Sequence, residues 1–372
     1  MRVLFGFTGG RGHVEPLVPL ATAAREAGHT VAFAGRPSIL PAVEALGFEA
    51  FPAEAEHETP PRRIALQPVD LEREERDFRG WFADRIARDR ATRVRSIAGE
   101  WRADLVVCEE TDFGSMIAAE RLGLPYASVA VLAASSFTRP EIAGEPLNAV
   151  RLENGLPSDP ELEMLGRHLV LSPFPPSYRE PSFPTERSFR SSGPPPPPSK
   201  RDGATTVYFT LGTVFNLECG DLFARVLDGL RELPFEVVAT VGPHVDPAEF
   251  GPLPDRFHLA EYVPQSDVLP RADVVVSHGG SGSVLGALAH GLPQVLIPMG
   301  ADQPLNGKRC EELGLARVLD PIAATPESVR DAVSTVLTDE TYRAAAERMR
   351  DEIAALPGPD DAVTLLERLA SG

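Results

Sequence analysis

Short apolar runs alternate along the chain with longer stretches whose apolar positions recur every three or four residues. Arg2 to Phe7 predicts a strand, Gly9 to His13 a loop, Val14 to Ala27 a helix stopped by Gly28-His29, and Thr30 to Ala34 a second strand. Strand, helix and strand at this spacing make a parallel βαβ unit. The rhythm continues with a helix near Ile39 to Leu46, a strand at Leu105 to Cys108, a helix from about Phe113 to Leu122 and a strand at Tyr126 to Leu132. Residues 56–80 break it: His57 to Pro61 and Gln67-Pro68 are turn-like, and Leu71 to Arg90 is a charged, helical stretch whose pattern alone reads as a solvated surface.

Ser172 to Pro198 is proline-dense and closes with Gly193 and the run Pro194 to Pro198. Such a run is stiff and extended and continues neither a helix nor a central strand. A linker is therefore expected at 193–203, between an N-terminal domain at 1–192 and a C-terminal domain at 204–355. Thr205 to Thr210 starts a second βα set, with a helix at Leu222 to Arg231 and strands at Phe235 to Val241 and Phe257 to Tyr262. The tail, Thr341 to Leu369, is helical by pattern and interrupted at Leu356-Pro357-Gly358-Pro359, which leaves 356–372 as a terminal helix.

Bulk properties narrow the picture. At 372 residues the chain exceeds one ordinary core and suits two domains. A net charge of −18 argues against nucleic acid or an anionic membrane surface as partner, and leaves phosphate to be bound by local backbone geometry. Cys108, Cys219 and Cys310 lie far apart without metal-ligand spacing, as expected of buried or free thiols in a reducing cytosol. With no apolar span of membrane length, the expected location is the cytoplasm.

The densest chemical signal runs from Val276 to Gly291. An apolar run ends in a glycine-rich turn that feeds a helix-like segment, Val284 to His290. Open backbone N–H groups and the helix dipole favour an anion such as a diphosphate there, and glycines let its oxygens approach. His278, Ser281 and Ser283 add polar groups, and Gly280 and Gly282 supply the open backbone. Asp302-Gln303 follows the apolar run Gln294 to Met299; a carboxylate beside an amide suits two neighbouring sugar hydroxyls. Diphosphate and hydroxyl sites together point to a nucleotide sugar. His13, at a helix start after a glycine-rich turn, reads either as an N-terminal donor or as a catalytic base.

Tyr262-Val263-Pro264-Gln265 through Asp302-Gln303-Pro304-Leu305-Asn306 resembles the donor-binding signature of family 1 glycosyltransferases, and Phe7 to Pro16 resembles that family's N-terminal loop. The likeness is greatest to actinobacterial enzymes that decorate natural products. It spans most of the chain and is sharpest at 1–28 and 258–314. It implies a GT-B fold of class α/β, two Rossmann-like βαβ domains facing a central cleft, with the last helix crossing back to the first domain and residues 56–80 walling the acceptor pocket. It also implies an inverting, metal-independent transfer from a nucleotide diphosphate sugar co-substrate, with no other cofactor, to a small-molecule acceptor such as an aglycone.

In that reading His13 is the general base, Gly12 borders the donor, and Thr213 approaches the phosphates. Tyr262 stacks on the nucleotide base, Val263 and Gln265 flank it, and Asn306 lies near the phosphates or caps a helix. A carboxylate partner for His13 is sought in Glu109-Glu110-Thr111-Asp112, at the carboxyl edge of the sheet. The family usually carries aspartate where Glu109 stands; Glu110 and Asp112 are alternatives, and all three fit a helix cap. Plant relatives place a ribose-gripping glutamate where this chain has Gly286, which favours a thymidine diphosphate sugar over a uridine one; the alternative is that Gly286 only permits tight helix packing. Other readings are a lipid-linked cell-wall N-acetylglucosaminyl transferase, opposed by the scattered acidic charge of the N-terminal half, and a non-catalytic nucleotide-sugar-binding activator. The expected partners exclude nucleic acid and stable membrane association, and the oligomeric state stays open between monomer and homodimer.

Overall fold

The apolar runs form thirteen strands among the residues described by the computed structural model, 1–55, 62–134, 137–191, 203–213 and 215–372. Seven make one sheet: β1 (Arg2–Gly6), β2 (Thr30–Gly35), β3 (Glu49–Pro52), β4 (Leu105–Glu109), β5 (Tyr126–Val129), β6 (Leu169–Ser172) and β7 (Glu186–Ser188). Six make the other: β8 (Thr206–Thr210), β9 (Glu236–Thr240), β10 (Phe257–Ala260), β11 (Val274–Ser277), β12 (Gln294–Leu296) and β13 (Ala316–Val318). The orders are β3-β2-β1-β4-β5-β6-β7 and β10-β9-β8-β11-β12-β13. Every pairing is parallel. Strand order therefore switches between β1 and β4 in one sheet and between β8 and β11 in the other, the crevices where open α/β sheets bind ligands.

Each sheet belongs to a compact unit of its own. The first comprises the described residues of 1–55, 72–191 and 356–372; the second comprises 62–71 and those of 203–355. Residues 62–71 thus lie outside the N-terminal domain expected at 1–192. The reason is local: Ile64 N–H donates to the Leu217 carbonyl at 2.8 Å, Arg63 pairs with Glu249 at 2.6 Å, and Leu66 packs on the core of the second unit. Of the linker expected at 193–203, only Gly203 is among the described residues.

Several elements differ from the pattern-based reading for identifiable reasons. The helix expected at 14–27 is split into a turn at Arg11–Val14, a 3-10 turn at Glu15–Leu17 and the helix Val18–Glu26, with Pro16 and Pro19 at the starts of the later pieces. The charged stretch is a helix from Leu71–Gly80 through a π-helical turn, Trp81–Ile86, into Ala87–Trp101. It is no solvated surface, since Phe78, Ala83, Ile86, Arg90 and Val94 are buried. The terminal helix, Pro359–Ser371, buries Ala362, Val363 and Leu366 in the core of the first unit with Leu20 and Ala24. Arg190, also in this unit, donates its N–H to the Pro357 carbonyl.

Candidate active site

The first unit builds its polar centre at the β1/β4 switch. Gly6 ends β1 under Asp112 and Ser115, where a Cβ would lie 2.5 Å from a carboxylate oxygen. Thr8 follows and donates both its N–H (3.2 Å) and its hydroxyl (2.6 Å) to Oε1 of Glu109, the last residue of β4. Thr111 donates its N–H to Oε2 at 2.7 Å and its hydroxyl at 2.8 Å. His13 Nδ1 stands 3.3 Å from Glu109 Oε1 and 3.5 Å from Thr111 Oγ1. Burial by itself would raise the pKa of Glu109, but His13 and the donors from Thr8 and Thr111 outweigh it and hold the carboxyl below its ordinary value. An imidazole protonated on Nδ1 toward that carboxylate has Nε2 as its basic nitrogen. Gly9, at φ +64°, admits the ring, since a Cβ there would sit 3.0 Å from Nε2.

The neighbouring acids do other work. Glu110 does not face His13. Its carboxylate takes Arg179 Nη1 at 3.2 Å and Nη2 at 3.0 Å, and accepts from the N–H groups of Val131 and Leu132, which ends β5 as a fixed loop. Its expected catalytic role is therefore corrected to a structural one, because the pleat sends successive side chains at the strand end to opposite sides. Asp112 caps the helix Phe113–Leu122 through Ser115 N–H and pairs with the fully buried Arg90.

The second unit gathers its polar groups at the β8/β11 switch. After β11, His278 lies across two glycines: a Cβ at Gly212 or Gly280 would come within 2.7 Å or 2.5 Å of its Nε2. Burial pushes the His278 pKa down to about 4, so the ring is neutral at physiological pH, and its Nδ1 has no hydrogen-bond partner among the described residues. The helix Ser281–Ala289 opens at Gly280 with no side-chain cap, leaving the first-turn N–H groups of Ser281, Gly282 and Ser283 uncapped. Asp302 accepts from the Ser281 hydroxyl at 2.5 Å and from Asn306 Nδ2 at 2.8 Å; Asn306 also donates to the Gly279 carbonyl at 2.9 Å.

Residues 224–369 match the family model of the erythromycin biosynthesis protein CIII-like C-terminal domain. The chain is 28% identical over 422 residues to the erythronolide mycarosyltransferase of Saccharopolyspora erythraea, with 99% of both chains covered. It is 35% identical over 170 residues to the demethyllactenocin mycarosyltransferase of Streptomyces fradiae, a match covering 46% of this chain and 37% of that protein. The solved structure of spinosyn rhamnosyltransferase SpnG complexed with thymidine diphosphate superposes with a TM-score of 0.81 at 27% identity, covering 99% of this chain and 100% of that one. This chain is a glycosyltransferase, similar over nearly its whole length to enzymes of actinobacterial natural-product biosynthesis.

Within this GT-B glycosyltransferase, the structure brings His13 to Glu109, and His278, Gly280, Ser281, Gly282 and Ser283 to one loop and helix start beside Asp302. Gly12 is exposed in the turn that carries His13, and Thr213 is exposed just after Gly212. Tyr262 is exposed, while Val263 packs against the core behind it. Gln265 Nε2 lies 3.4 Å from Ser283 Oγ, and its Oε1 occupies the space over Gly286, 2.8 Å from where a Cβ would stand. Gln303 is buried, with its Oε1 accepting from Met299 N–H at 2.9 Å and Gly300 N–H at 3.4 Å. Only its amide nitrogen is therefore left to approach a ligand. Thr8, Thr111 and Phe82, whose ring stacks on His13 at 5.8 Å, were not legible as site residues. Polar residues at the ends of two strands were the available signal for the threonines; nothing local marked Phe82. Among the described residues no cluster of three or more His, Cys, Asp or Glu side chains is placed to hold a metal ion, and no helix is long and apolar enough to cross a membrane.

Proposed function

We propose that this glycosyltransferase moves a sugar from a thymidine diphosphate sugar to a hydroxyl of a small natural-product acceptor, with inversion at the anomeric carbon and without a metal or resident cofactor. The observation that carries the proposal is His13 Nδ1 at 3.3 Å from a fully buried Glu109 carboxylate. In the reaction, Nε2 takes the acceptor proton as its oxygen attacks, and Glu109 stabilises the imidazolium through Nδ1. The bond to the diphosphate breaks on the opposite face, and the leaving charge is received by the N–H groups at Ser281 to Ser283 and by neutral His278. Asp302 and the Gln303 amide nitrogen hold sugar hydroxyls. Preference for thymidine rests on Gly286, which supplies no carboxylate for a 2′-hydroxyl, with Gln265 filling the space above it. Relatives that glycosylate macrolides, and one solved with thymidine diphosphate, support the same substrate classes.

The test separates donor binding from chemistry. His13→Ala is expected to lower turnover on hydroxyl acceptors by about 100-fold or more while thymidine diphosphate binds with unchanged affinity in calorimetry. Equal losses in affinity and turnover would remove His13 from the role of base.

A further inference from the structure

The first unit holds a second feature beside the dyad, a cavity of about 210 Å³ whose lining includes Gly9, Arg36, Glu54, Trp81, Arg85 and Asp89. Gly9 borders both the cavity and the basic edge of His13, since a Cβ there would meet His13 Nε2 at 3.0 Å. The cavity is smaller than the roughly 300–1,000 Å³ of sites that enclose a whole drug-sized ligand, and matches one substituted ring. The π-helical turn Trp81–Ile86 shapes it. This turn sets the exposed Trp81 ring on the cavity, with the Arg85 guanidinium 5.0 Å over that ring, and stacks Phe82 on His13.

Glu54 is the unexplained group. It is more than nine-tenths buried, yet among the described residues its carboxyl accepts no hydrogen bond and enters no ion pair. Asp89, on the same cavity, is fully engaged, accepting from Ala55 N–H and Arg93 Nε at 2.8 Å each. Its oxygens keep access to solvent and line the cavity, so the carboxyl offers the cavity an acceptor that no protein group occupies and that a ligand hydroxyl or amine can take from water. Burial raises the Glu54 pKa above its ordinary value despite the opposing pull of Arg90 and Arg36.

We infer that this cavity is a subsite for one ring of the acceptor, and that Glu54 accepts a hydrogen bond from a hydroxyl or amino group on that ring, separate from the hydroxyl that receives the sugar. The ring lies against Trp81, and the subsite sets which hydroxyl of the acceptor reaches His13. The inference rests on the reading of His13 as the base, and deepens it by giving the acceptor a second polar group.

Three phenols with a common ring test it: tyrosol, tyramine and 4-propylphenol, whose arms end in a hydroxyl, an amine and a methyl group. Of the chain's two tryptophans, Trp101 packs under Arg2 and donates to Glu49, so quenching by a ligand in the cavity reports Trp81. Tyrosol and tyramine are expected to bind the wild type about tenfold more tightly than 4-propylphenol, as one hydrogen bond to a charged group gives. Glu54→Gln, which keeps the size and an acceptor oxygen, should retain part of that preference. Glu54→Leu should abolish it, and Trp81→Phe should remove the signal. The inference is overturned by a preference unchanged in Glu54→Leu, by equal binding of the three phenols to the wild type, by no binding of any, or by a signal that survives Trp81→Phe. Thymidine diphosphate calorimetry on the same samples reads the second unit alone. Normal nucleotide binding with no phenol preference defeats the subsite only, whereas absent nucleotide binding defeats the donor reading only.

Discussion

Glu109 is surrounded by donors from two loops, and each donor has a measurable consequence. Thr8→Val deletes the 2.6 Å hydroxyl contact and leaves a buried carboxylate one hydrogen bond short, at a cost of about 1–3 kcal/mol in urea denaturation at pH 7. Since the folded pKa of Glu109 is depressed, its stabilising contribution is present above the unfolded value and is lost as pH falls through the lower folded one. Thr8→Val raises the folded value, so the loss of stability on acidification should level off at higher pH and be smaller than in the wild type; coincident acid limbs would contradict this. His278 behaves in another way. Its folded pKa of about 4 lies below the ordinary imidazole value, so between the two only the unfolded chain binds the proton. Stability should fall on the order of 3 kcal/mol as pH drops from about 6.5 to about 4, and His278→Asn should flatten that slope.

At the scale of elements, the helix Ser281–Ala289 and the turn carrying Gln265 share the space over Gly286. Gly286→Glu puts a Cβ 2.8 Å from Gln265 Oε1, the end of a flexible side chain that can swing aside. The new carboxylate would accept from both ribose hydroxyls of uridine diphosphate but from only one of thymidine diphosphate. The expected gain for uridine diphosphate is at most about 1.5–3 kcal/mol, read as the ratio of the two affinities in calorimetry. A common weakening of both nucleotides would reflect the clash; an unaltered ratio would detach Gly286 from donor choice. The same scale explains Glu110: two residues adjacent in sequence at the end of β4 have opposite fates, one held against His13 and the other clasped by Arg179.

The whole molecule is two parallel-sheet units that exchange chain. The terminal helix Pro359–Ser371 belongs to the first unit although the chain reaches it from the second. Deleting 358–372 exposes the cluster that Ala362, Val363 and Leu366 cover, a loss of about 4 kcal/mol at the usual worth of such side chains. The deletion should lower the unfolding midpoint while thymidine diphosphate, whose proposed site lies in the second unit, keeps its affinity. An unchanged midpoint would mean that the helix adds nothing to that core.

Periodicity along the sequence determined the βα alternation, because a half-buried helix and a buried parallel strand each impose their own spacing of apolar residues. The glycine-rich turn at His278 and the loop at His13 were legible for a related reason: each follows a strand immediately, so chain order alone places it at the carboxyl edge of a sheet. Tertiary structure alone decided the rest. Which of Glu109, Glu110 and Asp112 meets His13 depends on the side to which each side chain turns and on Thr8, which follows a strand distant in sequence but adjacent in the sheet. The membership of 62–71 depends on a backbone hydrogen bond, an ion pair and one partly buried leucine, none of which leaves a periodic trace. Glu54 is an ordinary acid by pattern, and only packing shows it on the wall of a cavity with no protein donor on its carboxyl.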